Sequence, residues 1–181
     1  MRLSETAIPD IKVIDPDVHG DSRGFFIETW NARRFADAGL DVTFVQDNHS
    51  RSAAGVLRGM HYQLNEPQGK LVRVARGRVF DVAVDLRRRS PSFGQWVGLE
   101  LSAANGRMLW IPPGFAHGFL TLEDDTDFLY KCTAFYAPTD EHCLAWDDPT
   151  VAIGWPSCGA ELVISDKDRR GKALADAEVY A

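Results

Sequence analysis

Short apolar or alternating runs recur along the chain, divided by Gly, Pro, Asn and Asp, and few windows carry a helical period. The runs at 70–77, 78–86, 95–102, 107–114 and 127–138 read as strands. Within 78–86, Phe80, Val82, Val84 and Leu86 share one face, and Asp81, Ala83 and Asp85 share the other. A strand with carboxylates on its second face lies at the surface or beside a polar cavity. Helical signal is confined to 31–40, opened by Asn31 and stopped by Gly39, and to a turn around 171–179. The pattern predicts an all-β barrel or jelly roll, closed so that strand edges are hidden, with a few short helices, mainly near the C-terminus. With no repeat or linker-like shift in composition, residues 1–181 read as one domain.

Composition narrows the class without naming a chemistry. An apolar share of 45% in 181 residues suits one substantial core. No apolar stretch reaches the roughly eighteen residues of a membrane span. The first fifteen residues mix charge and proline and lack the apolar middle of a secretion signal, so the cytoplasm is the expected location. The net charge of −6 argues against nucleic acid or an anionic membrane as partner. Cys132, Cys143 and Cys158 form no CxxC pair, which points to separate thiols rather than a disulfide framework or zinc site.

Two stretches carry chemistry. In GRMLWIPPGFAHGF, Gly106, Pro112, Gly114 and His117 keep the spacing G-x5-P-x-G-x2-H, which resembles the second motif of cupins. The prolines and glycine set a tight turn that aims His117 inward. The first cupin motif is only partly present: Gly55 and His61 are in place, but Gln63 stands where a second histidine is usual. The downstream carboxylate falls on Pro67 or Gln68. Two histidines are too few for a divalent site of about three or four ligands, so no metal is expected. His61 is thereby left for proton transfer near neutral pH, the task to which imidazole is best suited.

Longer strings then resemble one family: DSRGFFIETW (21–30), FVQDNHSRS (44–52), VLRGMHYQ (56–63), 68–102, WIPPGFAHGFLTL (110–122), FLYKCTAFYAP (128–138) and ISDKD (164–168) are similar to the dTDP-4-dehydrorhamnose 3,5-epimerases. The resemblance implies a jelly-roll cupin, homodimeric and free of cofactors. It implies epimerisation of dTDP-4-keto-6-deoxyglucose at C3 and C5, toward dTDP-L-rhamnose. It makes His61 the base, Asp168 its partner, Lys70 the group at the enolate oxygen and Tyr130 the opposite-face acid. Arg23, Glu28, Gln46, Asp47, Asn48, Arg58, His117, Glu141 and Lys167 match substrate-contacting positions, and Tyr136 matches a residue that stacks on thymine. The segment of Arg23 and Glu28 is expected to enter a neighbour's pocket. Asp81 receives no role.

Local geometry adds two expectations. Tyr130 and Tyr136, six apart on one strand, are expected to face the same way. Arg58 and His61 are three apart and would lie on opposite faces of a regular strand; if both touch substrate, as the resemblance implies, the strand bends at Gly59 or Arg58 precedes it, and the irregularity is expected at Gly59. The alternatives are a C3-only epimerase, a metal-dependent cupin and a non-catalytic sugar-nucleotide-binding module.

Overall fold

The computed structural model describes residues 1–181. Fourteen strands and two short helices alternate with turns. β1 (Arg2–Glu5), β2 (Lys12–Asp15), β3 (Val18–Asp21) and β4 (Gly24–Ile27) precede α1 (Ala32–Asp37). Then come β5 (Gln46–Ser52), β6 (Val56–Gln63), β7 (Lys70–Arg76), β8 (Arg78–Asp85), β9 (Trp96–Ser102), β10 (Met108–Ile111), β11 (Phe115–Thr121) and β12 (Thr126–Cys132). β13 (Glu141–Cys143), β14 (Val163–Ile164) and α2 (Asp166–Arg169) follow.

The strands form two main sheets, ordered β1-β2-β10-β7-β12-β5 and β13-β6-β11-β8-β9, with β14 alongside β6. Alternation puts Val72, Val74, Leu109, Ile111 and Phe128 of the first sheet against Val79, Ala83, Val97, Leu101, Phe115 and Phe119 of the second. The stacked rings of Phe119 and Phe128, with centroids 4.0 Å apart, join the sheets. The architecture is the expected all-β cupin barrel.

Both faces of the second sheet are covered. Val82 and Val84 of β8, and Leu86 just beyond it, pack outward with Met60, Tyr62, Leu144, Val151 and Ala177, so the C-terminal third of the chain lies over that face. On its inner face, Asp81 and Asp85 are both fully buried, and Asp85 accepts hydrogen bonds from Arg87, Ser90 and Ser92. The carboxylate face of this strand thus lies inside the barrel, not at the surface.

Helix α1 has the predicted ends. Asn31 accepts from the backbone N–H of Arg34, and Gly39, at φ +92°, lets Leu40 N–H close back onto the carbonyl of Phe35. Phe35 anchors it on the outer face of the first sheet with Ile14, Leu71 and Met108. The helices are not concentrated near the C-terminus: one lies at each end of the fold. Residues 171–179 hold a turn, and the C-terminal helix is α2, capped by Ser165.

The strand expected over 127–138 ends at Cys132. Beyond it the backbone is captured by other partners. Thr133 N–H donates to Gly69, the amide of Gln63 donates to the Phe135 carbonyl, and its oxygen accepts from Ala137 N–H. Tyr136 therefore sits on a loop and not on the strand of Tyr130.

Candidate active site

A cavity of about 690 Å³ opens between the sheets at one end of the core, a size suited to a small-molecule site. One wall belongs to the first sheet. Gln46, Asn48 and Ser50 of β5, Lys70 of β7, and Tyr130 and Cys132 of β12 each follow the two-residue period of an inward face. The opposite wall carries Arg58, His61 and Gln63 of β6, His117 of β11, Glu141 of β13, and Lys167 and Asp168 of α2.

Gly59 explains how Arg58 and His61 share a wall. His61 pairs with His117 and Arg58 with Phe119, so β6 carries one extra residue between the two pairs. Gly59 has φ +133°, and the Gly59–Met60 peptide is cis. A Cβ at Gly59 would stand 2.5 Å from the Cα of Gly118, so no larger residue fits this crossing.

His61 and Asp168 form the chemical centre. Nε2 of His61 lies 2.7 Å from Oδ1 of Asp168, while Oδ2 accepts from Gly59 N–H at 3.3 Å. Asp168 is 3% exposed, against the ordinary expectation for the charged string DKDRR. The helix turn explains the difference: Ser165 caps α2, and the buried side of that turn carries Asp168 to the dyad. Burial raises the carboxyl, but the His61 contact and the Gly59 amide outweigh it and hold Asp168 below the ordinary range. An ionised Asp168 takes the Nε2 proton of His61 as a hydrogen bond and leaves Nδ1 as the basic nitrogen.

Across the cavity, burial raises the Tyr130 hydroxyl above its ordinary value, so it stays protonated at neutral pH. Lys70 is 8% exposed rather than solvated, and burial draws its ammonium down. Arg58 has only a 3.2 Å hydrogen bond to Ser52 and makes no ion pair. At the mouth, Tyr136 donates its hydroxyl to Glu141, which also accepts from Lys167, each at 2.8 Å. The Tyr136 amide donates to Gln46, and Gln46 donates to Asn48. Half of the Tyr136 surface is exposed, leaving the ring available to stack.

Three of the fourteen expected residues lie elsewhere. Asp47 points to the other face of β5 and pairs with Lys131 at 2.7 Å, as its odd position between Gln46 and Asn48 requires. Arg23 and Glu28 belong to the β3–β4 hairpin and its exit. Arg23 is held by Asp21, and Glu28 by Asn31 and Arg34. Conversely, sequence reasoning missed Ser50, Gln68, Cys132 and Ser165 as lining residues. Ser50 and Cys132 were reachable: each lies two beyond a candidate, Asn48 or Tyr130, on the same face.

The donors do not compose a cupin metal centre. Gln63 spends its amide on the carbonyls of Glu66 and Phe135 and on Ala137 N–H, and His117 Nε2 is committed to Asp81. His61, Cys143 and Asp168 bring three donors within 4.8 Å. Yet the 2.7 Å dyad contact leaves no room for an ion between its atoms, and burial pushes the Cys143 thiol up to about 12.

An imidazole on one sheet facing a phenol and a lysine on the other is an arrangement able to invert a carbon next to a carbonyl, and the class is a cupin-fold epimerase, an isomerase. Comparison with known proteins makes it particular. A family model described as dTDP-4-dehydrorhamnose 3,5-epimerase matches residues 5–176. The enzyme of that name from Pseudomonas aeruginosa is 59% identical over 181 residues, covering 99% of each chain. Among solved structures, a dTDP-6-deoxy-D-glucose-3,5-epimerase from Legionella pneumophila, in complex with dTDP-4-keto-L-rhamnose, aligns with a TM-score of 0.94. It is 50% identical, over 98% of this chain and 94% of that one. A 3'-monoepimerase from Streptomyces bikiniensis, in complex with dTDP-quinovose, reaches 35% identity and a TM-score of 0.88, over 94% and 87% of the chains. The chain belongs to the dTDP-4-dehydrorhamnose 3,5-epimerase family.

Proposed function

We propose that the chain inverts both C3 and C5 of dTDP-4-keto-6-deoxyglucose, with His61 as base, Asp168 as its partner, Lys70 at the ketone oxygen and Tyr130 as the returning acid. The opposition of His61 and Tyr130 on facing sheets carries this reading. A proton beside a ketone is weakly acidic, so an imidazole removes it only if the enolate is stabilised while it forms. Lys70, buried and facing the cavity, suits that oxygen as an ammonium. Inversion demands that the proton return to the other face, and Tyr130 stands there protonated. The C3-only alternative is the weaker one, because the 3,5-epimerases named above are closer in sequence than the monoepimerase.

Arg58 and Lys167 suit a pyrophosphate, and the exposed ring of Tyr136 suits thymine. The working form is a homodimer in which Arg23 and Glu28 serve the neighbouring cavity. Two features support this: neither residue lines its own cavity, and Val18, Phe25 and Phe26 are exposed on their hairpin. No helix is long and apolar enough to cross a membrane, and three unpaired cysteines agree with a reducing cytoplasm.

NMR of the substrate turned over in deuterated water tests the reaction. Deuterium is expected at both C3 and C5; incorporation at C3 alone sinks the two-centre reading, and incorporation at neither sinks the epimerase.

A further inference from the structure

Asp81 on β8 is fully buried, and the mechanism above leaves it unused. Both of its oxygens lie on a single atom, Nε2 of His117, at 3.2 and 3.0 Å. Burial holds His117 below its ordinary value, so the ring is neutral and donates Nε2–H to the carboxylate. Asp81 therefore has a donor but no cation. The other carboxylates at the cavity are provided for, Asp168 by His61 and the Gly59 amide, and Glu141 by Lys167 and Tyr136. Lys70 presents the reverse case. It is buried on the opposing sheet, faces the same cavity and has no carboxylate in direct contact. An isolated buried charge of either sign is strongly unfavourable. Here two of opposite sign act on one imidazole.

We propose that Asp81 is a positioning residue: acting across His117, its carboxylate is the counter-charge that keeps Lys70 an ammonium facing the cavity. The assignment deepens the reading of Lys70 as the group at the enolate oxygen and rests on it. Desolvation draws the lysine toward its neutral form, and the fields of Cys132 where ionised, Asp81 and Glu141 oppose that loss. The other groups facing this floor are Tyr130 and Cys132 from β12, Arg58 and His61 from β6, Glu141 from β13, and Lys167 and Asp168 from α2. Burial keeps Tyr130 and Cys132 protonated, and Glu141 is already engaged by Lys167. Arg58 adds positive charge, which makes a fixed negative one more necessary.

Asp81→Asn tests this, because it keeps an oxygen for Nε2–H and removes only the charge. The alkaline limb of kcat is expected to move down by about one pH unit or more, an approximately tenfold loss of kcat on that limb, with KM within about twofold. A second readout needs no turnover. Modification of Lys70 by an amine-selective acylating reagent, located by peptide mass spectrometry, should become fast at lower pH in Asp81→Asn, since only the neutral amine reacts. An unmoved limb together with unchanged Lys70 reactivity overturns the proposal. Should Asp81→Asn misfold, Asp81→Glu keeps the charge and must keep the parent reactivity profile; a profile shifted there overturns it equally. Lys70→Met separates the two levels. Full activity in that variant removes the enolate role itself, whereas an inactive Lys70→Met beside an unshifted Asp81→Asn removes only the assignment of Asp81.

Discussion

The proposal that His61 is the base rests on what surrounds it. Asp168 takes up Nε2 of the ring at 2.7 Å, so the dyad sets the tautomer. The task proposed for Tyr130 is separable, which leads to a prediction at this scale. In Tyr130→Phe, deuterium should still enter the substrate through His61, while inverted product falls by about 10²-fold or more. In His61→Asn, both should be lost. Equal loss of exchange and inversion in Tyr130→Phe would show that the tyrosine does not act alone on the far face. NMR and product analysis on one sample read both quantities. The residue types were legible in the sequence, since a histidine without its metal partners asks for another occupation. Their environments were not: only the family resemblance brought Lys70 and Asp168 to the site, and it is β7 and α2 that bury them.

At the scale of elements, the site hangs on the slip in β6. One extra residue at Gly59 brings Arg58 and His61 to the same wall, and the freed Gly59 N–H becomes a donor to Asp168. The crossing with Gly118 leaves no space, since a side-chain carbon on Gly59 would come within 2.5 Å of its backbone. Gly59→Ala is therefore expected to cost about 2 kcal/mol of stability, measurable by urea unfolding, and most of the activity. A variant as stable and active as the parent would contradict this account of the bulge. The irregularity was legible once the resemblance put both Arg58 and His61 at the substrate, because a regular strand cannot turn residues three apart to one side. The end of β12 was not, because the captors of residues 133–137 are Gln63 and Gly69, remote in sequence.

For the whole molecule, the β3–β4 hairpin stands apart from both main sheets and shows Phe25 at 72% and Phe26 at 68% exposure. Neighbouring exposed aromatics on a projecting ribbon are the mark of an interaction surface. Replacing both by Ser should weaken self-association at least tenfold in sedimentation experiments and raise KM, with little change in the unfolding midpoint. A parent enzyme that is fully active as a monomer at nanomolar concentration would remove the dimer from the mechanism.

The sequence by itself determined what alternation and spacing can encode: the β class, the two faces of β8, the turn that aims His117, the broken metal motif and a histidine left without metal partners. Local chemistry carries all of these, through a period of two, the limits on proline and glycine, and a count of ligands. The tertiary structure alone decided which charges are buried and which walls face each other. Burial and opposition depend on elements brought together from distant parts of the chain, such as β6 with α2 and β8 with β11. For that reason Asp81 was one more carboxylate on a strand until His117 was seen to close over it.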